Sequence, residues 1–122
     1  MTKSDLKQYI VGHNHRNREL LTVLESSGLS EESRIDAEYH FWADEQSDAV
    51  AFAKRLYDEG YLILVLAPVP DEKNGITWNL EARKREAIKD VISERNTEYL
   101  VELANDFNSL YDGWGTVGDR IV

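Results

Sequence analysis

Apolar residues recur along this chain with two different periods, and the order of these periods restricts the fold more than any other feature. Residues 4–26 carry apolar side chains at the spacing of an α-helix, interrupted by the polar residues His13 and Asn17. Gly28 is a natural stop for such a helix. The sequence therefore predicts a long N-terminal helix, which a polar connector joins to the rest of the chain.

The remaining segments alternate between strand and helix periods. They follow in the order strand, helix, strand, strand, helix and strand: residues 37–43, 45–59, 61–67, 76–82, 90–108 and 111–117. The unbroken apolarity of residues 61–67 predicts that the second strand is buried on both faces. Arg83, Lys84 and Arg85 are expected to lie in solvent just after the third strand.

This order of elements predicts an α+β fold. It is typical of a ferredoxin-like βαββαβ antiparallel sheet with two helices on one face, here with an extra N-terminal helix. We assign residues 1–30 to the N-terminal helix and its connector, and residues 35–118 to the α/β domain. The second face of the sheet is then open to solvent, to a partner, or to the N-terminal helix, and the sequence leaves these alternatives open.

Charge indicates which class of partner suits the chain. It has 14 Lys and Arg residues against 23 Asp and Glu, a net charge of −9 at pH 7. Nucleic-acid binders gain affinity by neutralising phosphates, so this balance argues against direct binding of nucleic acid. It fits a basic protein partner steered by complementary fields, although an acidic surface can also serve solubility alone.

No residue pattern indicates a metal, a cofactor or a catalytic site. Cysteine is absent, which excludes disulfides and thiolate ligands. His13 and His15 are two residues apart, so they do not share a helix face as paired metal ligands would. The sequence contains no phosphate-binding glycine loop and no nucleophile elbow. We therefore expect no cofactor, no metal and no enzymatic activity.

The expected location is the cytoplasm. No apolar stretch approaches the ~18 residues that a membrane helix needs. The N-terminus has no apolar region behind its lysines, which argues against a secretory signal. We expect no membrane partner. The oligomeric state cannot be derived from the pattern.

The segment after the last predicted helix reads Tyr111-Asp112-Gly113-Trp114-Gly115-Thr116. With the strand around Glu38-Tyr39-His40-Phe41 and the Glu59-Gly60-Tyr61 junction, it resembles the RraB family of ribonuclease E regulators, best over residues 35–116. The resemblance implies a ferredoxin-like domain that binds ribonuclease E, through its non-catalytic scaffold region, and lowers its activity on RNA without chemistry of its own. Well-studied members carry a long acidic C-terminal tail. If that tail contributes to binding, a chain ending at Val122 is expected to bind more weakly or to have a different partner.

The candidate interface residues are His40, Trp42, Tyr111, Asp112 and Trp114. Exposed aromatic side chains beside an acid are typical of interface anchors. Alternatively, Trp114 plugs the core and the N-terminal helix covers the strand face that carries His40 and Trp42. The alternative function is an orphan interaction or self-associating domain of the same fold, with no ribonuclease partner.

A weaker alternative concerns RNA itself. The βαββαβ order is also used by RNA-recognition domains, in which aromatic residues on the central strands stack on bases. Tyr39, Phe41 and Trp78 superficially suit that role. The acidic charge argues against it, and we expect these residues to face the helices instead.

Overall fold

The computed structural model describes residues 2–73 and 75–116, and it confirms the α+β prediction. Its helices and strands are, in chain order, α1 Lys3–Ser26, β1 Arg34–Ala43, α2 Gln46–Asp58, β2 Leu62–Asp71, β3 Gly75–Ala87, α3 Ile88–Val91, α4 Glu94–Asp106 and β4 Ser109–Thr116. The strands form one antiparallel sheet in the order β2-β3-β1-β4, consistent with a ferredoxin-like arrangement. Residues 117 and 118, where the predicted domain ended, lie outside the described residues.

Side-chain caps explain where α1 and α4 begin. Thr2 accepts a hydrogen bond from the Asp5 backbone N–H, and the Asp5 carboxylate accepts one from the Thr2 backbone N–H, which is a reciprocal capping box. Ser93 caps α4 by accepting from the Asn96 backbone N–H at 3.1 Å. The single predicted helix over residues 90–108 is therefore two helices, because the chain leaves α3 before Ser93 and starts α4 after it.

The core lies between the sheet and the helices α2 and α4. Tyr39 and Phe41 on β1 are fully buried, which leaves neither ring accessible to an RNA base. The Phe41 ring meets the Phe52 ring of α2 edge to face, with centroids 4.7 Å apart, and Phe52 stacks on Phe107 at 5.3 Å. The aromatic face of β1 is thus the inner face, as the alternation predicted.

The prediction that the second strand is buried on both faces is wrong. β2 is an edge strand, and Leu62 is 56 % exposed while Leu66 is 36 % exposed. β2 extends beyond the predicted residues 61–67 and runs through Pro68 and Pro70. Proline is tolerated in an edge strand because its missing N–H can face the free edge instead of the ladder.

The third strand is longer than predicted, and the reason is electrostatic. β3 extends to Ala87, so Arg83 and Arg85 lie inside the strand and not after it, although the side chain of Arg85 remains exposed to solvent as expected. They pair across to Glu38 and Asp36 on β1. Opposite charges directly across two strands stabilise the pairing, which allows a charged segment to continue as a strand.

α1 packs against α4 at the side of the sheet that ends in β4. Leu24 is buried in the common core, and Leu6, Ile10 and Leu20 pack against that core. One of the alternatives required α1 to cover the sheet face opposite α2 and α4, but α1 does not lie there. The boundary between residues 1–30 and 35–118 stays a prediction. No helix in the described part of the chain is long and apolar enough to cross a membrane.

Candidate protein-binding surface

Polar side chains line the sheet face opposite the helices, and we call this set the polar face. It consists of Asp36, Glu38, His40 and Trp42 on β1 and of Asn79, Glu81, Arg83 and Arg85 on β3. Residues two apart in a strand point to the same side, so each of these side chains has a neighbour directly across the ladder. The polar face contains two of the five candidate interface residues, His40 and Trp42.

At one end of the polar face, acid and base are paired. Arg83 Nη2 lies 2.7 Å from Glu38 Oε2, and the Glu38 side chain is only 1 % exposed. Arg85 Nη1 lies 3.3 Å from Asp36 Oδ1, but both of these side chains are well exposed. Charge at this end is therefore largely compensated within the sheet.

The other end of the polar face is built around Trp42. Its indole Nε1 donates a hydrogen bond to Asp112 Oδ2 at 3.1 Å. Asp112 reaches this position because the β1–β4 register shifts between His40 and Phe41, a bulge at which Gly113 has φ 115°. The bulge thus brings a third candidate residue, Asp112, to the candidate surface and fixes the Trp42 ring.

A cleft of about 380 Å³ opens beside Trp42, where β1 ends and α4 leads into β4. Its other lining residues are Asp44, Asn105, Asn108, Ser109 and Leu110. The lining contains one carboxylate and no basic side chain. The surface around Trp42 therefore combines an indole ring, carboxylates and amides.

The two remaining candidate residues, Tyr111 and Trp114, are buried beneath α1. Trp114 is 8 % exposed, and its Nε1 donates to Asn17 Oδ1 at 2.8 Å. The Tyr111 carbonyl accepts from the Tyr9 hydroxyl and from His13 Nε2, the latter at 3.2 Å. In this arrangement the two aromatic residues contact the protein's own N-terminal helix.

Two further polar contacts complete the docking of α1. Asn17 Nδ2 donates to Thr97 Oγ1 of α4 at 3.0 Å, and Arg16 Nη1 donates to the Asp112 carbonyl at 3.4 Å. A Cβ on Gly113 would lie 3.2 Å from Arg16 Nη1, at a positive φ that side chains rarely adopt. Glycine at position 113 thus permits both the bulge and the close approach of α1.

Sequence reasoning did not assign His13 or Asn17 to this site. A signal was present, because His13 and Asn17 interrupt the apolar stripe of α1, and both are buried. A buried polar side chain requires a hydrogen-bond partner, so such interruptions indicate polar partners on the opposing element. The partners themselves, on β4 and α4, could not be read from the interruption.

His13 is expected to make stability depend on pH. Burial, and next the nearby Arg16 guanidinium, lower the pKa of His13 below its ordinary value of 6.5. On acidification, the unfolded chain therefore binds a proton at His13 before the folded chain does. The stability that neutral His13 contributes is complete above pH 6.5 and is lost as the pH falls below it. We expect the urea midpoint of the wild type to drop between about pH 7.5 and about pH 5.5, and His13→Gln to remove that part of the drop.

The matched control is His15→Gln, since the His15 side chain is 67 % exposed and pairs with Glu19 within its own helix. This variant should keep the pH dependence of the wild type. If the wild type and His13→Gln showed equal pH dependence, protonation of His13 would not be the cause of the loss of stability at low pH.

Metal ligation finds no support in the geometry. Within residues 2–73 and 75–116, no three His, Asp or Glu side chains are grouped so that they could hold a metal ion. The chemistry that the polar face offers is hydrogen bonding, ion pairing and aromatic stacking, which are the interactions of a binding surface.

Comparison with known proteins identifies the family. The sequence model of the RraB family, described as "Regulator of ribonuclease activity B", matches residues 14–116. A protein of the same description from Photobacterium profundum is 27 % identical over 112 residues, which cover 89 % of this chain and 83 % of the relative. The matched range runs from the middle of α1 to the end of β4 and includes the bulge and the polar face. The resemblance found in the sequence is confirmed: the chain belongs to the RraB family.

Proposed function

We propose that this chain lowers the activity of ribonuclease E by stoichiometric binding and catalyses no reaction itself. The observation that carries the proposal is the family match over residues 14–116, because the family and the relative from Photobacterium are both described as regulators of ribonuclease activity. That description supports a protein partner of the ribonuclease class. We ourselves propose ribonuclease E as the partner and stoichiometric binding as the mechanism. The proposal also implies a cytoplasmic location, where such a partner would meet RNA.

The polar face is the surface that we propose for this contact. His40, Trp42 and Asp112 lie at its accessible end, and the side chain of His40 is 34 % exposed beside Glu81. Tyr111 and Trp114 contact α1 instead, so we propose that they act indirectly, by holding α1 and the bulge that positions Asp112. The net charge of −9 fits a basic region of the partner.

The test is a titration of the purified chain into ribonuclease E from the same organism. Binding is measured by calorimetry, and RNA cleavage is assayed in parallel. We expect saturable binding at about one chain per site, with cleavage falling as the sites fill. Raising the salt from about 0.1 M to about 1 M shortens the screening length from about 10 Å to about 3 Å, so binding should weaken. Tyr57→Ser, on the exposed side of α2, is the control and should bind as the wild type does.

Binding without reduced cleavage would contradict regulation. Absence of binding at about 50 µM, which corresponds to a binding free energy weaker than about 6 kcal/mol, would remove ribonuclease E as the partner. The alternative is then a self-associating or orphan interaction domain. The edge strand β2 favours it, because Leu62 and Leu66 expose apolar side chains beside a free edge. Sedimentation of the isolated chain would show such self-association directly.

A further inference from the structure

We propose that the cleft beside Trp42 binds the guanidinium group of an arginine side chain from the partner protein. This inference rests on the proposed function in one respect only, namely that the partner is a protein with a basic surface. It assigns a ligand chemistry to one point of the polar face. Three features of the cleft support it: its aromatic wall, its charge and its hydrogen-bond acceptors.

The aromatic wall is the indole ring of Trp42. Tryptophan offers the best face for a cation, and arginine stacks on aromatic rings more readily than lysine does because its guanidinium is planar and weakly hydrated. The hydrogen bond from Trp42 Nε1 to Asp112 Oδ2 holds the ring by its edge. The ring is therefore positioned before the partner arrives, which lowers the entropy lost on binding.

The charge around the cleft suits a cation. Asp44 lines it, Asp112 lies at the edge of its indole wall, and neither takes part in an ion pair among the described residues. α4 ends beside the cleft, which Asn105 of its last turn lines, and it has no basic residue in that turn. The negative end of the helix dipole is therefore not compensated there. The opposite end of the polar face differs, since Arg83 and Arg85 already pair with acids.

The acceptors favour arginine over lysine. Asn105, Asn108 and Ser109 line the cleft and carry side-chain oxygens that can accept hydrogen bonds, and Asp44 adds a carboxylate. A guanidinium presents five N–H donors in one plane, whereas an ammonium presents three on a single atom. A cleft of about 380 Å³ is also large enough to take the methylenes that carry the guanidinium. An arginine side chain can thus use the ring, the carboxylate and the amides together.

The experiment is NMR spectroscopy of ¹⁵N-labelled protein, in which the indole N–H signals of the three tryptophans are followed. The signal of Trp42 is assigned by its loss in Trp42→Phe. The probe is a short peptide of alternating arginine and glycine, and matched peptides carry lysine or glutamine instead of arginine. We expect the arginine peptide to shift the Trp42 signal saturably and to leave that of the buried Trp114 in place. Trp42→Leu, in which binding is followed by the backbone amide signals of Asn108 and Ser109 in the cleft, should weaken this binding about two- to fivefold through loss of the cation–π contact.

Asp44→Asn, at an exposed position, tests the charge without disturbing the ring and should also weaken binding of the arginine peptide. Tyr57→Leu removes an exposed aromatic ring outside the cleft and should change nothing. The proposal is overturned if the Trp42 signal does not shift, or if the glutamine peptide shifts it equally. Either result would leave inhibition of the ribonuclease by the wild type intact. Conversely, arginine binding without inhibition would reject the proposed partner and retain the site.

Discussion

Replacing Trp114 with alanine is expected to lower the free energy of unfolding by about 3–5 kcal/mol. The side chain is 8 % exposed and belongs to the core cluster, so its removal leaves a cavity between β4 and α1. The variant also removes the N–H that satisfies Asn17 Oδ1, a buried acceptor. Urea unfolding followed by circular dichroism measures the loss as a fall in the midpoint.

Two controls separate these contributions. Trp114→Phe keeps most of the ring volume but loses the indole N–H, so it should cost less than alanine, about 1–3 kcal/mol. Tyr57→Ala, at a side chain that is 66 % exposed, should change stability by less than about 0.5 kcal/mol. If Trp114→Ala instead kept the wild-type stability and lost binding to the ribonuclease, Trp114 would be an interface anchor, and the docked position of α1 would not describe the binding state.

The order of elements could be predicted because each one carries its own period. β1 alternates cleanly, with Tyr39 and Phe41 inward, since one of its faces is apolar and the other polar. β2 could not be placed in the same way. A short run of apolar residues occurs both in strands buried at the centre of a sheet and in edge strands packed beside a helix, so the pattern does not distinguish them. Its position depends on how β3 inserts between β2 and β1, which is a property of the whole sheet.

The candidate surface was predicted only in part, for a related physical reason. The alternation of β1 was sufficient to group His40 with Trp42. It could not group Asp112 with them, because that contact depends on a bulge that shifts the register of β4. The position of Trp114 depends on Asn17, 97 residues earlier in the chain. Contacts between elements so far apart in sequence leave no local pattern from which they could be read.

Removing Arg83 is expected to cost far more stability than removing Arg85, although both are strand residues paired with an acid across the same ladder. The Glu38 side chain that Arg83 contacts is 1 % exposed, whereas Asp36 beside Arg85 is 39 % exposed. Removing a cation that contacts a buried carboxylate costs up to about 3–5 kcal/mol, and the partial exposure of Arg83 reduces our expectation to about 2–3 kcal/mol for Arg83→Met. Arg85→Met should cost less than about 1 kcal/mol, as exposed ion pairs do.

A double variant shows whether the buried charge is the cause. Glu38→Leu combined with Arg83→Met removes the carboxylate as well as its partner, and replacing a buried ion pair by apolar side chains of similar size is often nearly neutral. We therefore expect the double variant to unfold at a higher urea concentration than Arg83→Met alone. If the two losses simply added, the cost of Arg83→Met would come from the packing of its methylenes on β3. Equal costs for Arg83→Met and Arg85→Met would contradict the view that Glu38 is shielded from water on the polar face.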